Sequence, residues 1–209
     1  MSATGRSNVR DLDDAYFTPA WCVRRLLEAC PLPNHGPWLE PCAGDGAIIR
    51  AVTSYASAPM PRPYSEVKWT AIEIRDVDRP SGLAMNTIWR RGQNFLTLPD
   101  AEIDLHYTVA ITNPPYRHAL EFIERCRDLA DTTVMLLRLN YLASAKRAEF
   151  MRANPPDVYV LPNRPSFTGG GKTDCTEYAW MVWPRVGRRR SFGEVRVLAT
   201  TPRDERCKR

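Results

Sequence analysis

Clustered metal-ligating side chains are what this sequence most plainly lacks. Its six cysteines include no Cys-x-x-Cys, and its three histidines, His35, His106 and His118, are scattered. Structural zinc needs four thiol or imidazole ligands at close, characteristic spacings, so this pattern predicts no metal site. No apolar run approaches the ~18 residues of a membrane helix. The polar opening MSATGRSNVRDLDD has no hydrophobic core of a secretory signal. Together these absences predict a cytoplasmic chain with reduced thiols and no membrane partner. Neither sign of charge dominates: 29 basic against 24 acidic side chains leave a net +5. The excess gathers late, in PRVGRRR (184–190, with Arg188, Arg189 and Arg190) and in the closing RDERCKR. Such runs suit a polyanion's backbone, and equally a solvated loop and tail.

What is present is an alternation of strand and helix signals over most of the chain. TPAWCVRRLLEAC predicts a helix with Thr18 as its cap and Pro19 in its first turn. Strands are predicted at the start of GPWLEPCAGDGAIIRAVTSY, in VKWTAIEIRD, at the start of TIWRRGQNFL, in the apolar run of VAITNPPYRHAL, in TTVMLLRLNYL, at the start of DVYVLPNRPSF and in TEYAWMVW. A possible further edge strand lies in FGEVRVLAT, and helices are predicted in GAIIRAVTSY, RHALEFIERCRDLA and SAKRAEFMRAN, the last capped by Ser144. Alternation of this kind implies an α/β fold with a doubly wound, mostly parallel sheet. We expect a flexible segment over 1–14, one domain over 15–200 and a flexible basic tail over 201–209.

Ligands of such sheets bind beyond the carboxyl ends of the strands, and three signals fall there. The turn in WLEPCAGDGAII places Gly44 and Gly46 between a strand and a helix. No Gly-Lys-Ser/Thr follows it, so a nucleoside triphosphate is disfavoured. Glu40 and Asp45 make the turn acidic, which suits an ammonium or sulfonium better than a phosphate; an ordinary strand–helix turn would read the same way. Glu73 ends the next strand, where a carboxylate can accept both hydroxyls of a ribose or simply face water. The third signal is VAITNPPY, an apolar run stopped by Asn113, Pro114, Pro115 and Tyr116. Two prolines cannot donate to a sheet, so the strand ends there.

In order, YFTP (16–19), EPCAGDG (40–46), AIEI with Glu73, NPPY (113–116) and RPSFTGGGKTDCTEYAWMVW (164–183) resemble the signature of small phage-encoded adenine-N6 DNA methyltransferases. The resemblance covers roughly residues 15–185. It implies a seven-stranded, Rossmann-like sheet with an antiparallel strand near the C-terminus, S-adenosylmethionine as cofactor, DNA as partner, and a bacterial or phage-infected cytoplasm. Phe17, Thr18, Pro19, Glu40, Pro41, Gly44, Asp45, Gly46, Glu73, Asn94 and Phe95 would hold the cofactor. Asn113 and the Pro114 carbonyl would accept the N–H bonds of adenine's amino group, with Pro115 stiffening the backbone and Tyr116 stacking on a base turned out of the helix. Phe167 would pack on its other side, or belong to the core. Arg188, Arg189 and Arg190 would meet the DNA backbone.

The family often has an acid where this chain has Asn94, so that contact would lack charge assistance. The length leaves no room for a separate target-recognition domain. RNA adenine, or a protein glutamine amide with its similar planar NH2, is the alternative substrate; a non-catalytic nucleic-acid-binding module is the reading from another class.

Overall fold

The computed structural model describes residues 17–55, 63–103, 105–167, 175–184 and 193–206. Eight strands form one sheet: β1 (Pro37–Glu40), β2 (Lys68–Ile72), β3 (Thr87–Arg90), β4 (Tyr107–Thr112), β5 (Ala130–Arg138), β6 (Asp157–Leu161), β7 (Tyr178–Pro184) and β8 (Val195–Val197). Their order is β3-β2-β1-β4-β5-β7-β6-β8. Every neighbouring pair is parallel except the two made by β7, which runs against β5 and β6.

The strands are apolar on both faces because helices cover both. Successive side chains alternate sides. Trp38, Val134, Leu136, Trp180 and Val182 enter the core that also holds Trp21, Leu26, Ile48 and Ile49 of α1 (Ala20–Ala29) and α2 (Ala47–Thr53). Leu39, Met135, Leu137, Ala179 and Met181 enter the opposite core, with Phe122 and Ile123 of α3 (Ala119–Leu129). Two buried indoles are satisfied by backbone: Trp180 donates to the Cys22 carbonyl at 2.9 Å, tying β7 to α1, and Trp183 donates to Asn154 at 2.9 Å.

The structure corrects the expected count of seven strands to eight. Val195–Val197 pairs with β6 in parallel, yet Val195 and Val197 are both exposed, so no buried face marks the strand in its composition. Two expected caps also differ. Pro19, not Thr18, is the cap residue of α1, and no side chain caps that helix; the Pro19 carbonyl receives Cys22 N–H at 2.9 Å. Ser144 precedes a 3-10 turn (Ala145–Arg147) rather than the helix α4 (Ala148–Ala153), and its side chain makes no capping bond. The described start of the expected tail makes local contacts. Thr201 N–H donates to Asn163 Oδ1 at 2.6 Å, Arg25 reaches the Thr201 hydroxyl at 3.0 Å, and Arg203–Arg206 forms the short helix α5. Residues 1–14 lie outside the described residues. No helix among the described residues is long and apolar enough to cross a membrane.

Candidate active site

Strand order reverses between β1 and β4, so their carboxyl ends open the crevice that such sheets use for ligands. The pairing of Leu39 with Ala110 brings the turn after β1 beside the segment after β4. Glu73, just beyond β2, completes one side.

The turn after β1 is built from backbone. Ala43 N–H donates to the Ile72 carbonyl at 2.9 Å, and Gly44 N–H to Glu73 Oε2 at 2.7 Å. Gly44 and Gly46 have φ of 58° and 76°, the left-handed region that L side chains resist. Their surroundings differ. A Cβ on Gly46 would lie 2.5 Å from a Leu83 methyl, whereas a Cβ on Gly44 would meet nothing within 4 Å. Gly44 therefore borders open space, and Pro41, at the start of the turn, is buried.

The three acids have separate fates. Asp45 accepts Ala47 N–H at 3.0 Å and is ion-paired with Arg50 at 2.7 Å, so its charge is largely met within the chain. Glu73 is buried; Oε1 takes both the backbone N–H and the Nε of Arg75, at 3.0 and 2.7 Å, opposite the Gly44 contact on Oε2. Glu40 is 1% exposed, and its Oε2 has no hydrogen-bond partner among the described residues. Burial first, and then the neighbouring Asp45, push the Glu40 carboxyl well above the usual range.

The other expected cofactor residues are more dispersed. Asn94 is exposed, and its Oδ1 receives Leu96 N–H at 3.0 Å, a local turn. Phe95 is buried, stacked on Phe122 at 5.3 Å with the Arg125 guanidinium above it. Between these residues and Glu73 sits Gln93, whose N–H donates to the Glu73 carbonyl at 3.0 Å. The buried Gln93 Oε1 has no partner among the described residues. Phe17 is 43% exposed, Thr18 buried and Pro19 half-buried; among the described residues no hydrogen bond joins them to the turn.

Beyond β4, Pro114 is buried, Pro115 exposed, and Asn113 and Tyr116 half-buried. Pro115 starts a 3-10 turn, Tyr116–His118, that leads into α3, its carbonyl accepting His118 N–H at 2.9 Å. The Tyr116 hydroxyl lies 3.1 Å from Asn113 Oδ1, while the buried Asn113 Nδ2 has no partner among the described residues. Two residues that the motif did not point to complete this end. The Arg138 guanidinium sits 4.9 Å above the Tyr116 ring and donates from Nε to the Tyr178 hydroxyl at 3.4 Å. Tyr178 lies 6.0 Å from Tyr116 and 5.0 Å, edge-on, from Phe167. Phe167 is itself only 4% exposed.

Arg188, Arg189 and Arg190 lie outside the described residues. The described residues flanking them are at the other end of the sheet from Asn113. Pro184 pairs with Thr132 near the start of β5, and Gly193 packs against the Pro156 backbone just before β6. Among the described residues no group of His, Cys, Asp or Glu is placed to hold a metal ion.

No protein-family profile and no curated protein matches the chain. Its fold, however, matches solved structures. One is the type I restriction-modification methyltransferase subunit from Streptococcus thermophilus, with a TM-score of 0.61 and 12% identity. Another is a Listeria monocytogenes protein assigned as a class I S-adenosylmethionine-dependent methyltransferase, with a TM-score of 0.54 and 11% identity. A third is a dimethyladenosine transferase from Plasmodium falciparum, with a TM-score of 0.53 and 14% identity. These cover 85%, 86% and 81% of this chain, which spans 46% of the first protein and 62% of each of the others. The chain shares the α/β fold of these solved structures.

Proposed function

We propose that this protein transfers a methyl group from S-adenosylmethionine to the exocyclic N6 of adenine in DNA. The observation that carries the reading is the half-buried Asn113 amide at the end of β4, one end facing the Tyr116 hydroxyl and the other without a partner. An amide's oxygen and nitrogen are nearly isosteric, and a tyrosine hydroxyl both donates and accepts. Turning the amide over lets Nδ2 donate to Tyr116 and leaves Oδ1 as an unpartnered acceptor. Adenine's amino lone pair is conjugated into the ring, so acceptors on both N–H bonds favour attack by stabilising the positive charge that develops on nitrogen. Asn113 Oδ1 and the Pro114 carbonyl are that pair, and the two prolines hold the carbonyl in place beforehand.

The residues present fit the cofactor. The orphaned, buried Glu40 oxygen in an acidic turn is an acceptor suited to an ammonium, whose charge would offset the burial and the neighbouring Asp45 that favour the neutral acid. The empty space above Gly44 admits a close ligand. Glu73, at the edge of the crevice, accepts ribose hydroxyls, sharing its oxygens with Gly44 N–H and Arg75. Pro41, Gly46 and the ion-paired Asp45 shape the turn. Asn94 and Phe95 close the adenine end, and Phe17, Thr18 and Pro19 the methionine end. Bound there, S-adenosylmethionine supplies a methyl group on an electrophilic sulfonium.

A duplex hides N6 in its stack, so the base must leave it, at a cost of a few kcal/mol that stacking on Tyr116 offsets. Phe167 contributes only if it moves from its buried place beside Tyr178. Two exposed cations, Arg117 after β4 and Lys146 after β5, have no ion-pair partner among the described residues and suit phosphate contacts on this rim. The likeness to a dimethyladenosine transferase makes RNA adenine the second substrate to test.

The deciding experiment is methyl transfer to DNA, RNA and protein, followed by mass spectrometry of the products. N6-methyladenine in DNA is expected; methylated cytosine, or transfer to RNA or protein alone, overturns the reading. For the cofactor, Glu73→Ala should weaken S-adenosylmethionine binding by roughly 1.5–3 kcal/mol, the scale of hydrogen bonds to a charged group. An unchanged dissociation constant in calorimetry would remove Glu73 from the site.

A further inference from the structure

We infer that Arg138 is a positioning residue that fixes the Tyr116 ring against the sheet. The inference rests on the adenine reading for its substrate but on the structure for its contacts. Arg138 is the last residue of β5 and pairs directly with Tyr178, the first residue of β7. Directly opposed residues in an antiparallel pair present their side chains on the same face of the sheet. From that position the guanidinium does two things together. It covers one face of Tyr116, 4.9 Å from the ring centre, and it donates to the Tyr178 hydroxyl at 3.4 Å.

A flat, delocalised cation suits both tasks. It stacks on an aromatic face while its edge donates hydrogen bonds, which an ammonium on a flexible stem cannot do in one geometry. Tyr116 and Tyr178 are thereby held relative to each other, with ring centres 6.0 Å apart, and Tyr178 is braced in turn by buried Phe167 at 5.0 Å. The platform is thus anchored to two strands of the sheet, although it begins the turn that leads to α3. The consequence reaches the reacting nitrogen through Asn113, because the Tyr116 hydroxyl 3.1 Å away holds that amide. A tilt of the Tyr116 ring would move both the stacking face and the acceptor. Small displacements of aligned groups are costly in reactions that rest on orientation.

The test uses Arg138→Leu and Arg138→Lys, each made alone and with Tyr116→Ala, in the full chain. Arg138→Leu should lower kcat by roughly tenfold, the scale of a lost cation–π contact and hydrogen bond, with KM for DNA and the cofactor dissociation constant within about twofold. Arg138→Lys keeps the charge without the flat fork and should fall between. Once Tyr116 is alanine, Arg138→Leu should have little further effect, since Arg138 acts through the ring. In protein labelled with 13C at the tyrosine ε positions, the Tyr116 and Tyr178 resonances should move in Arg138→Leu while that of Tyr64, in the turn before β2 and packed against Trp38, stays. An equal loss of kcat in both backgrounds, or unmoved Tyr116 and Tyr178 resonances, overturns the inference. If the wild-type protein methylates no adenine, the proposed function fails, and the tyrosine resonances still decide the role of Arg138.

Discussion

Asn113→Ala should reduce methyl transfer by about 10²–10³-fold, the effect of removing one preorganised acceptor or donor from a site where charge develops. Cofactor binding should stay within about twofold, because Asn113 is not among the cofactor residues proposed above. The physical case is local. Asn113 follows a strand whose last five residues but one are buried, and Pro114 behind it is buried too, so its amide is placed by the sheet. One buried end of the amide has no partner among the described residues, which is costly in a folded chain; turned so that this end is Oδ1, it is the acceptor that adenine's N–H satisfies. Removing the side chain removes that cost, so the variant should be no less stable than the wild type, and a thermal melt beside the kinetics separates lost chemistry from lost fold. Near-normal turnover with unchanged stability would show that the amide is not an acceptor in the reaction.

The parts of this site that are legible in the sequence are those set by local covalent chemistry. Consecutive prolines end β4 wherever they occur, and so Asn113 and Tyr116 fall at a strand end. Gly46 needs its positive φ for the turn into α2, and the strand-and-helix alternation that surrounds it follows from apolar runs and their breaks. The parts that are not legible depend on register between distant segments. Arg138 meets Tyr178 because β7 runs against β5 in a particular alignment, 40 residues apart in the chain. As a sequence letter, Arg138 is merely the one charge ending TTVMLLR. Asp45 and Glu40 look like equivalent acids in EPCAGDG, yet the fold pairs one with Arg50 and buries the other with an orphaned oxygen. Phe95 and Phe167 are ambiguous as letters; both pack into buried aromatic contacts, with Phe122 and Tyr178. The eighth strand is legible in FGEVRVLAT only as a possible edge strand, because both its valines are exposed and no buried alternation marks it.

Tyr116→Ala should lower turnover far more than Tyr116→Phe, and the structure sets the order of the two losses. Phenylalanine keeps the ring and the Arg138 guanidinium above it but removes the hydroxyl that faces Asn113 at 3.1 Å. That hydrogen bond is worth about 0.5–1.5 kcal/mol, so kcat should fall by a few-fold to about tenfold. Alanine removes the hydroxyl and also the stacking surface, a further 1–3 kcal/mol or so per base. The combined loss should approach about 10²–10³-fold. The two substitutions should also separate by probe. With 2-aminopurine at the target position of a duplex, Tyr116→Phe should retain the fluorescence change on binding, since the ring still receives the displaced base. Tyr116→Ala should diminish it. If phenylalanine and alanine cost the same, the hydroxyl acts alone and the ring is not a platform. If alanine leaves both turnover and fluorescence intact, the base does not stack on Tyr116 at all.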